Sequence, residues 1–248
     1  MLALHETQVR VLLLDIEGTT TPVDFVYKTL FPYARRRLQE FLQNHWADPN
    51  IREAIQGLRT QHEAEAVSKV QPPPWVDDSH HSQLASVVAY TRWLMDQDRK
   101  YTALKLLQGK IWEEGYRSRE LRGEVFPDVP PAFVRWSQHG KGIFIFSSGS
   151  IPAQKMLFAT TPSGDLTQFI RAYFDTGTGS KTDPESYQRI AASIGLSGPE
   201  IVFISDTQRE LDAARQAGME TASCVRSKNS KATKSGHQVI HTFDEVFP

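Results

Sequence analysis

The stretch VRVLLLDIEGTTTPVDF, residues 9–25, carries an apolar run into two acids, Asp15 and Glu17, that flank Ile16. Val9, Val11, Leu12, Leu13 and Leu14 form a near-continuous hydrophobic segment, the pattern of a strand covered on both faces of a parallel sheet. A carboxylate at the end of such a strand, followed by Gly18, lies at the lip of the sheet, where open α/β folds bind ligands. Two like charges side by side are costly to bury unless a cation or a ligand requires them.

Three further places carry polar residues at or near apolar runs: SSGS after Phe146, the loop around Lys181, and Asp206 with Glu210 after Ile204. In a parallel sheet such ends share one edge and can converge on one site. Together these residue types point to phosphoryl transfer. A carboxylate is already ionised at neutral pH and can attack phosphorus. Asp15 and Asp206 would hold a magnesium ion, which depends on few carboxylates and neutralises phosphate oxygens. Ser147 and Ser148 would donate to phosphate oxygens, together with backbone amides of SSGS. Lys181 would set a positive charge beside the nucleophile and the transferring group.

Each residue also has a plainer reading. Two acids after a strand make a solvated turn, and Gly18 supports a turn by itself. Ser147 and Ser148 can cap a helix beginning near Pro152, although capping and anion binding use the same geometry. Lys181 alone reads as a surface lysine. Glu210 either orients the metal site or pairs with a helix neighbour.

The elements that must position these residues follow from periodicity. From Gly140 onward strand and helix alternate. Gly142 to Phe146 reads as a buried strand, and a second lies near Arg171 to Phe174. ESYQRIAASIGL reads as a helix with Asp183 as N-cap, Pro184 at its first position and Gly195 past its end. Ile201 to Ile204 is a strand followed by a helix reaching Gly218, and TASCV is the fifth candidate strand. This alternation predicts a parallel sheet with right-handed crossovers. Between Asp15 and Ser147 lie far more residues than the dozen or so a crossover needs. Ile51, Ile55 and Leu58 share a helix face, as do Leu84, Val87, Val88, Leu94 and Met95. A Pro-rich loop containing His80 and His81 separates the two runs. The expected organisation is an α/β, Rossmann-like parallel-sheet core, residues 1–19 and 122–248, with an inserted helical cap, residues 20–121. In the cap, Lys105, Gln108 and Trp112 recur on one helix face beside an apolar face of Leu104, Leu107 and Ile111. That polar stripe either reaches toward a substrate or is simply solvated.

The chain has 248 residues, with 28 basic and 29 acidic side chains and a formal net charge of -1, so charge supplies no reason to expect nucleic acid or a membrane surface. Cys224 is the single cysteine and reads as core, which excludes an internal disulfide and suits a reducing compartment. No run approaches the roughly 20 apolar residues of a membrane span, and MLALHETQVR lacks the pattern of a signal peptide. The expectation is a cytoplasmic monomer acting on a small molecule.

DIEGTT, the strand-ending SSGS, Lys181 and Ser205–Asp206 resemble the four motifs of the haloacid dehalogenase superfamily. DIEGTTTPVDFVYKTLFPYARRRL, DRKYTALKLLQGKIW, FIFSSGSIPAQKMLF and YFDTGTGSKTDPESYQRIAASIG narrow the likeness to the enolase-phosphatases of methionine salvage. Most of the superfamily carries Asp two residues after the nucleophile; Glu17 stands there, as in that subfamily. The resemblance implies a substrate, 2,3-diketo-5-methylthiopentyl-1-phosphate, which is enolised and then dephosphorylated. It implies Asp15 as nucleophile or phosphate-facing carboxylate and Glu17 as proton shuttle. Asp15 and Asp206 would hold Mg2+, with Glu17 joining them through side chain or backbone carbonyl.

Overall fold

The computed structural model describes residues 8–65, 71–99, 101–226 and 236–247. The N-terminal residues through Thr7, part of the region searched for a signal peptide, lie outside them. The chain divides into two compact units: residues 1–25 with 122–248, and residues 26–121. The division thus falls after Phe25, not after Thr19.

In the first unit, β1 (Val11–Leu14), β2 (Gly142–Phe146), β3 (Ile170–Phe174), β4 (Ile201–Ser205), β5 (Glu220–Cys224) and β6 (Gln238–Ile240) form one sheet. Its order is β3-β2-β1-β4-β5-β6 and every pairing is parallel. The strand β6 completes the edge and was not expected; at three residues it is too short to show a period. β1, β2 and β4 are buried along their whole lengths, as a sheet covered on both faces requires. One covering layer packs Tyr187 and Ile190 of α8 (Pro184–Ile194) and Leu211 and Ala214 of α9 (Gln208–Gln216) against Leu13, Phe146 and Phe203. In the same unit α6 (Val129–Gln138) packs on β2 and α7 (Ile151–Ala159) on β3. The termini of α8 follow local chemistry. The Asp183 side chain accepts from the Glu185 amide, and Gly195 closes the helix at φ 76°, where a side chain would be strained.

The second unit is helical. It holds α2 (Phe31–His45), α3 (Pro49–Glu65), α4 (His80–Asp96) and α5 (Thr102–Arg117), with α2 and α3 each packed on both α4 and α5. A short α1 (Val23–Phe25) and a turn of π-helix, Val26–Leu30, lead into it. The expected faces bury as periodicity dictates, Ile51, Ile55 and Leu58 on α3 and Leu84, Val87, Val88 and Leu94 on α4. His80 and His81 begin α4 instead of lying in the Pro-rich loop. Ser79 and Ser82 close a reciprocal capping box that starts the helix one residue before His81. Gln108 does not belong to a solvated stripe, being 8% exposed. Trp112 is held within the helical unit, donating to the Leu30 carbonyl at 2.8 Å and stacking on Phe31.

Candidate active site

Strand register alone brings three of the expected residues to one place. Leu14 lies level with Ile145 of β2 and Ile204 of β4. The next residue of each segment therefore lies at the same height: Asp15, just past β1, and Phe146 and Ser205, the last residues of β2 and β4. Ser147 and Asp206 follow one residue further out. The Asp15 amide still bonds to the Ile204 carbonyl at 3.0 Å, so its position is set by the sheet and not by a loop.

Asp15 is 4% exposed and accepts hydrogen bonds at both carboxylate oxygens. Its Oδ1 accepts from the Ile16 amide at 2.8 Å and from Lys181 Nζ at 2.5 Å, and its Oδ2 accepts from Ser205 Oγ at 3.0 Å. Lys181, 8% exposed, also contacts Glu210 Oε2 at 2.6 Å and lies 5.9 Å from the centre of the Phe146 ring. Burial alone would drive a proton off this ammonium. The charges of Asp15 and Glu210 reverse that and raise its pKa above the ordinary value. Glu210 is thus a direct partner of the buried lysine, which lies on another element, and not of a helix neighbour. Its carboxyl is pushed up to about 7, by burial first and by the Asp15 charge second, with Lys181 opposing. Ser205 Oγ sits 3.0 Å from Asp15 and 3.1 Å from Glu210 while accepting from the Thr207 amide. One hydroxyl proton can serve only one of those carboxylates at a time.

Gly18 controls the approach of Asp206. At φ 72° it takes a conformation that side chains rarely adopt, and a Cβ there would lie 2.0 Å from Asp206 Oδ2. Glycine is required both for the turn and for the space. Asp206 is exposed as a residue, yet lost hydration at its carboxyl, and then the Asp15 charge, raise its pKa. The turn between Asp15 and Thr21 wraps around one acceptor: the Ile16 carbonyl takes the amides of Thr19, Thr20 and Thr21. Glu17 is half-buried within it and bridges to Thr21.

Lys181 reaches the cluster from a loop, residues 175–183, fixed by its own contacts. Tyr187 donates to the Lys181 carbonyl at 2.7 Å, Arg189 donates to the Thr178 carbonyl, and Gly179 leaves room for Ser186 and Arg189. Ser147 is half-buried and Ser148 exposed, on the loop between β2 and α7. Neither is the N-cap of α7; Ser150 holds that position without a side-chain cap bond. Gln154, buried, ties this loop down by donating to the Gly149 and Phe174 carbonyls. Ser205 and Gln154 were not singled out from sequence. Only the SD pair hinted at the first, and nothing local marks the second.

No group of three or more His, Cys, Asp or Glu poised for a metal occurs among the described residues. A magnesium ion does not demand one, since it keeps several waters and takes one or two carboxylates. The donor set fits it. Asp15 and Asp206 are close enough for one charge to shift the other's proton affinity, and the absent Cβ of Gly18 leaves the Asp206 carboxylate its place.

A family model described as haloacid dehalogenase-like hydrolase matches residues 9–218. The chain is 47% identical to an enolase-phosphatase E1 of Synechococcus elongatus, covering 95% of this chain and 96% of that protein. It is 40% identical to an enolase-phosphatase E1 of Danio rerio, covering 96% and 94%. Among solved structures it is similar to the UTR4 protein of Saccharomyces cerevisiae, at 32% identity and a TM-score of 0.72, covering 95% of this chain and 99% of that one.

Proposed function

We propose how this chain, which belongs to the haloacid dehalogenase-like hydrolases and to their enolase-phosphatase E1 relatives, performs its reaction with the residues gathered at the end of β1. The protein is an enolase-phosphatase of methionine salvage, a phosphoric monoester hydrolase acting on 2,3-diketo-5-methylthiopentyl-1-phosphate. The observation that carries the site assignment is Asp15, a buried carboxylate held by Lys181, Ser205 and the Ile16 amide beside a second acid, Asp206.

In this reading Asp15 attacks phosphorus, forming an oxygen–phosphorus bond as the ester bond breaks. Lys181 orients the attacking carboxylate and offers its charge to the transferring group. Ser147 and Ser148 bind phosphate oxygens from the loop that enters α7, a reading supported by the general affinity of a helix start for anions. Glu17 moves protons: one to the leaving oxygen, and those exchanged during enolisation. Water then releases phosphate from Asp15. Mg2+ would be held by Asp15 and Asp206, with Glu17 contributing from the same turn, and would supply charge neutralisation of the phosphate oxygens. The helical unit, residues 26–121, serves as the cap.

The test incubates the protein with the diketo phosphate ester and follows enediol absorbance and inorganic phosphate together, with and without Mg2+. Both signals should rise only with Mg2+, and Asp206→Ala should raise the Mg2+ concentration required or abolish turnover. Phosphate without enediol would assign a simple phosphatase of another ester. Unchanged metal dependence in Asp206→Ala would remove that residue from the metal site.

A further inference from the structure

Arg226, one residue beyond the hydrogen bond of Val225 to β6, is 10% exposed and has no role in the reaction described above. Its Nε and Nη2 both donate to the Thr19 carbonyl, at 2.9 and 2.6 Å. Its Nη1 pairs with Asp128 Oδ2 at 2.6 Å, and Asp128, 12% exposed, also accepts the Phe243 amide. The guanidinium lies 4.3 Å from the centre of the Phe126 ring and 4.6 Å from that of Phe243. Phe126 adds its own amide to the Thr20 carbonyl at 2.9 Å.

The consequence is a turn gripped from both sides. The peptide between Thr19 and Thr20 has its N–H on the Ile16 carbonyl and its C=O in the fork of Arg226. That peptide begins one residue after Gly18, whose backbone sets the distance to Asp206 and whose neighbour is Glu17. We propose that Arg226 is a positioning residue: by locking the Thr19 carbonyl it holds Glu17 and Gly18 in register with Asp15 and Asp206. The proposal rests on the assignment of that turn to the reaction.

The chemistry favours positioning over plain bracing. A near-buried guanidinium and carboxylate are an expensive way to fill space, since apolar residues of equal volume stabilise as well or better. A planar fork, by contrast, fixes a single acceptor in two directions, which a lysine or a hydrophobic side chain cannot do. The two aromatic faces pin the plane of that fork. Arg135 supplies a control within the same neighbourhood. It braces the same C-terminal turn, donating to the Phe243 and Phe247 carbonyls, without touching Thr19.

The experiment compares Arg226→Ala, Arg226→Lys and Arg135→Ala by amide hydrogen exchange of the peptide spanning residues 16–21 and by steady-state kinetics on the diketo phosphate ester. Arg226→Ala should speed exchange in that peptide by about tenfold or more. It should lower kcat about tenfold to 10²-fold with little change in KM, the cost of a small misplacement. Millimolar guanidinium ion should restore part of kcat by entering the slot between the two rings. Arg135→Ala should lower the melting temperature while leaving both exchange in residues 16–21 and kcat as in the parent. If Arg226→Ala does not fold, Arg226→Lys carries the same expectation for exchange. Unchanged exchange in the Arg226 variants, or an equal fall of kcat in Arg135→Ala, overturns the proposal. The exchange arm stands without turnover, so a wild-type protein inactive on the ester would sink the functional reading and leave this one to be judged separately.

Discussion

Glu65 in the helical unit and Asp15 at the end of β1 are both nearly removed from water, at 8% and 4% exposure, yet their partners differ. Glu65 accepts from two phenols, Tyr90 at 2.9 Å and Tyr101 at 2.6 Å. Burial and then the Glu65 carboxylate push the Tyr90 hydroxyl far above its ordinary range, and the hydrogen bond to Glu65 raises that of Tyr101. Both donors stay protonated, and the acid is satisfied by neutral groups. Asp15 instead shares one ammonium, Lys181, with Glu210, and one hydroxyl, Ser205, with the same residue. Asp206 adds a third acid beside them. One arrangement meets its carboxylate with hydrogen bonds from neutral groups alone. The other gathers three acids around one cation, Lys181, an arrangement that burial and mutual repulsion make costly unless further positive charge is supplied.

The comparison breaks most visibly at Asp15. Asp15→Asn should cost roughly 10⁴-fold or more in phosphate release, as loss of a nucleophile does, while the melting temperature of the metal-free protein stays near that of the parent. Lys181 keeps Glu210 as partner, so no charge is stranded. A phosphorylated residue other than Asp15, trapped and mapped by mass spectrometry, would refute the assignment. Glu17→Gln should slow product formation by about 10²–10⁴-fold, the usual worth of positioned proton transfer. Substrate binding should persist, and Glu17→Asp should be partly active at best because the shorter arm retracts the carboxyl. Rapid-scan absorbance beside a phosphate assay identifies which half-reaction fails; wild-type rates in both would place the proton elsewhere.

The helical unit should respond in the opposite sense. Glu65→Gln puts an amide N–H opposite one phenol donor and should cost about 1–3 kcal/mol of stability. Its kcat should be unchanged, as read by denaturant melts beside the activity assay. A loss of activity without a loss of stability would mean that the strut is also part of the site. The smallest effect sharpens the same contrast by pH. Glu210 is raised from 4.5 to about 7 in the fold, so the unfolded chain gives up this proton first. Its contribution is complete below pH 4.5 and is lost as pH rises through 7. Chelator-treated protein should therefore lose stability across that window, and Glu210→Gln should flatten the slope. A slope that survives the substitution would assign the linkage to other groups.

How much of this was legible depends on sequence distance. The end of β1, the helix α8 with its Asp183 cap and Gly195 stop, and the burial of β2 and β4 all follow from neighbours a few residues apart. Strand register then carries Asp15, Ser147 and Asp206 to one edge, which the alternation of elements already implied. Other features were hidden because their partners are remote. Asp15 and Lys181 are 166 residues apart, and Arg226 and Thr19 are 207 apart. Glu65 reads as one more polar residue on an amphipathic helix, and only the packing of α4 and the segment before α5 brings two phenols to it. The start of α4 was missed for a different reason: a Pro-rich, polar stretch hides the capping box of Ser79 and Ser82.

The residue types, the apolar runs and the spacing of the motifs by themselves determined a parallel α/β core, a helical insertion and a phosphoryl-transfer chemistry, because periodicity and ionisation are local properties of the chain. Only the tertiary structure decided which acid shares the lysine, why Gly18 admits nothing larger beside Asp206, and what grips the turn that follows Asp15. Those depend on angstrom-scale distances between segments remote in sequence, and a distance of that kind exists only once the sheet has set its register.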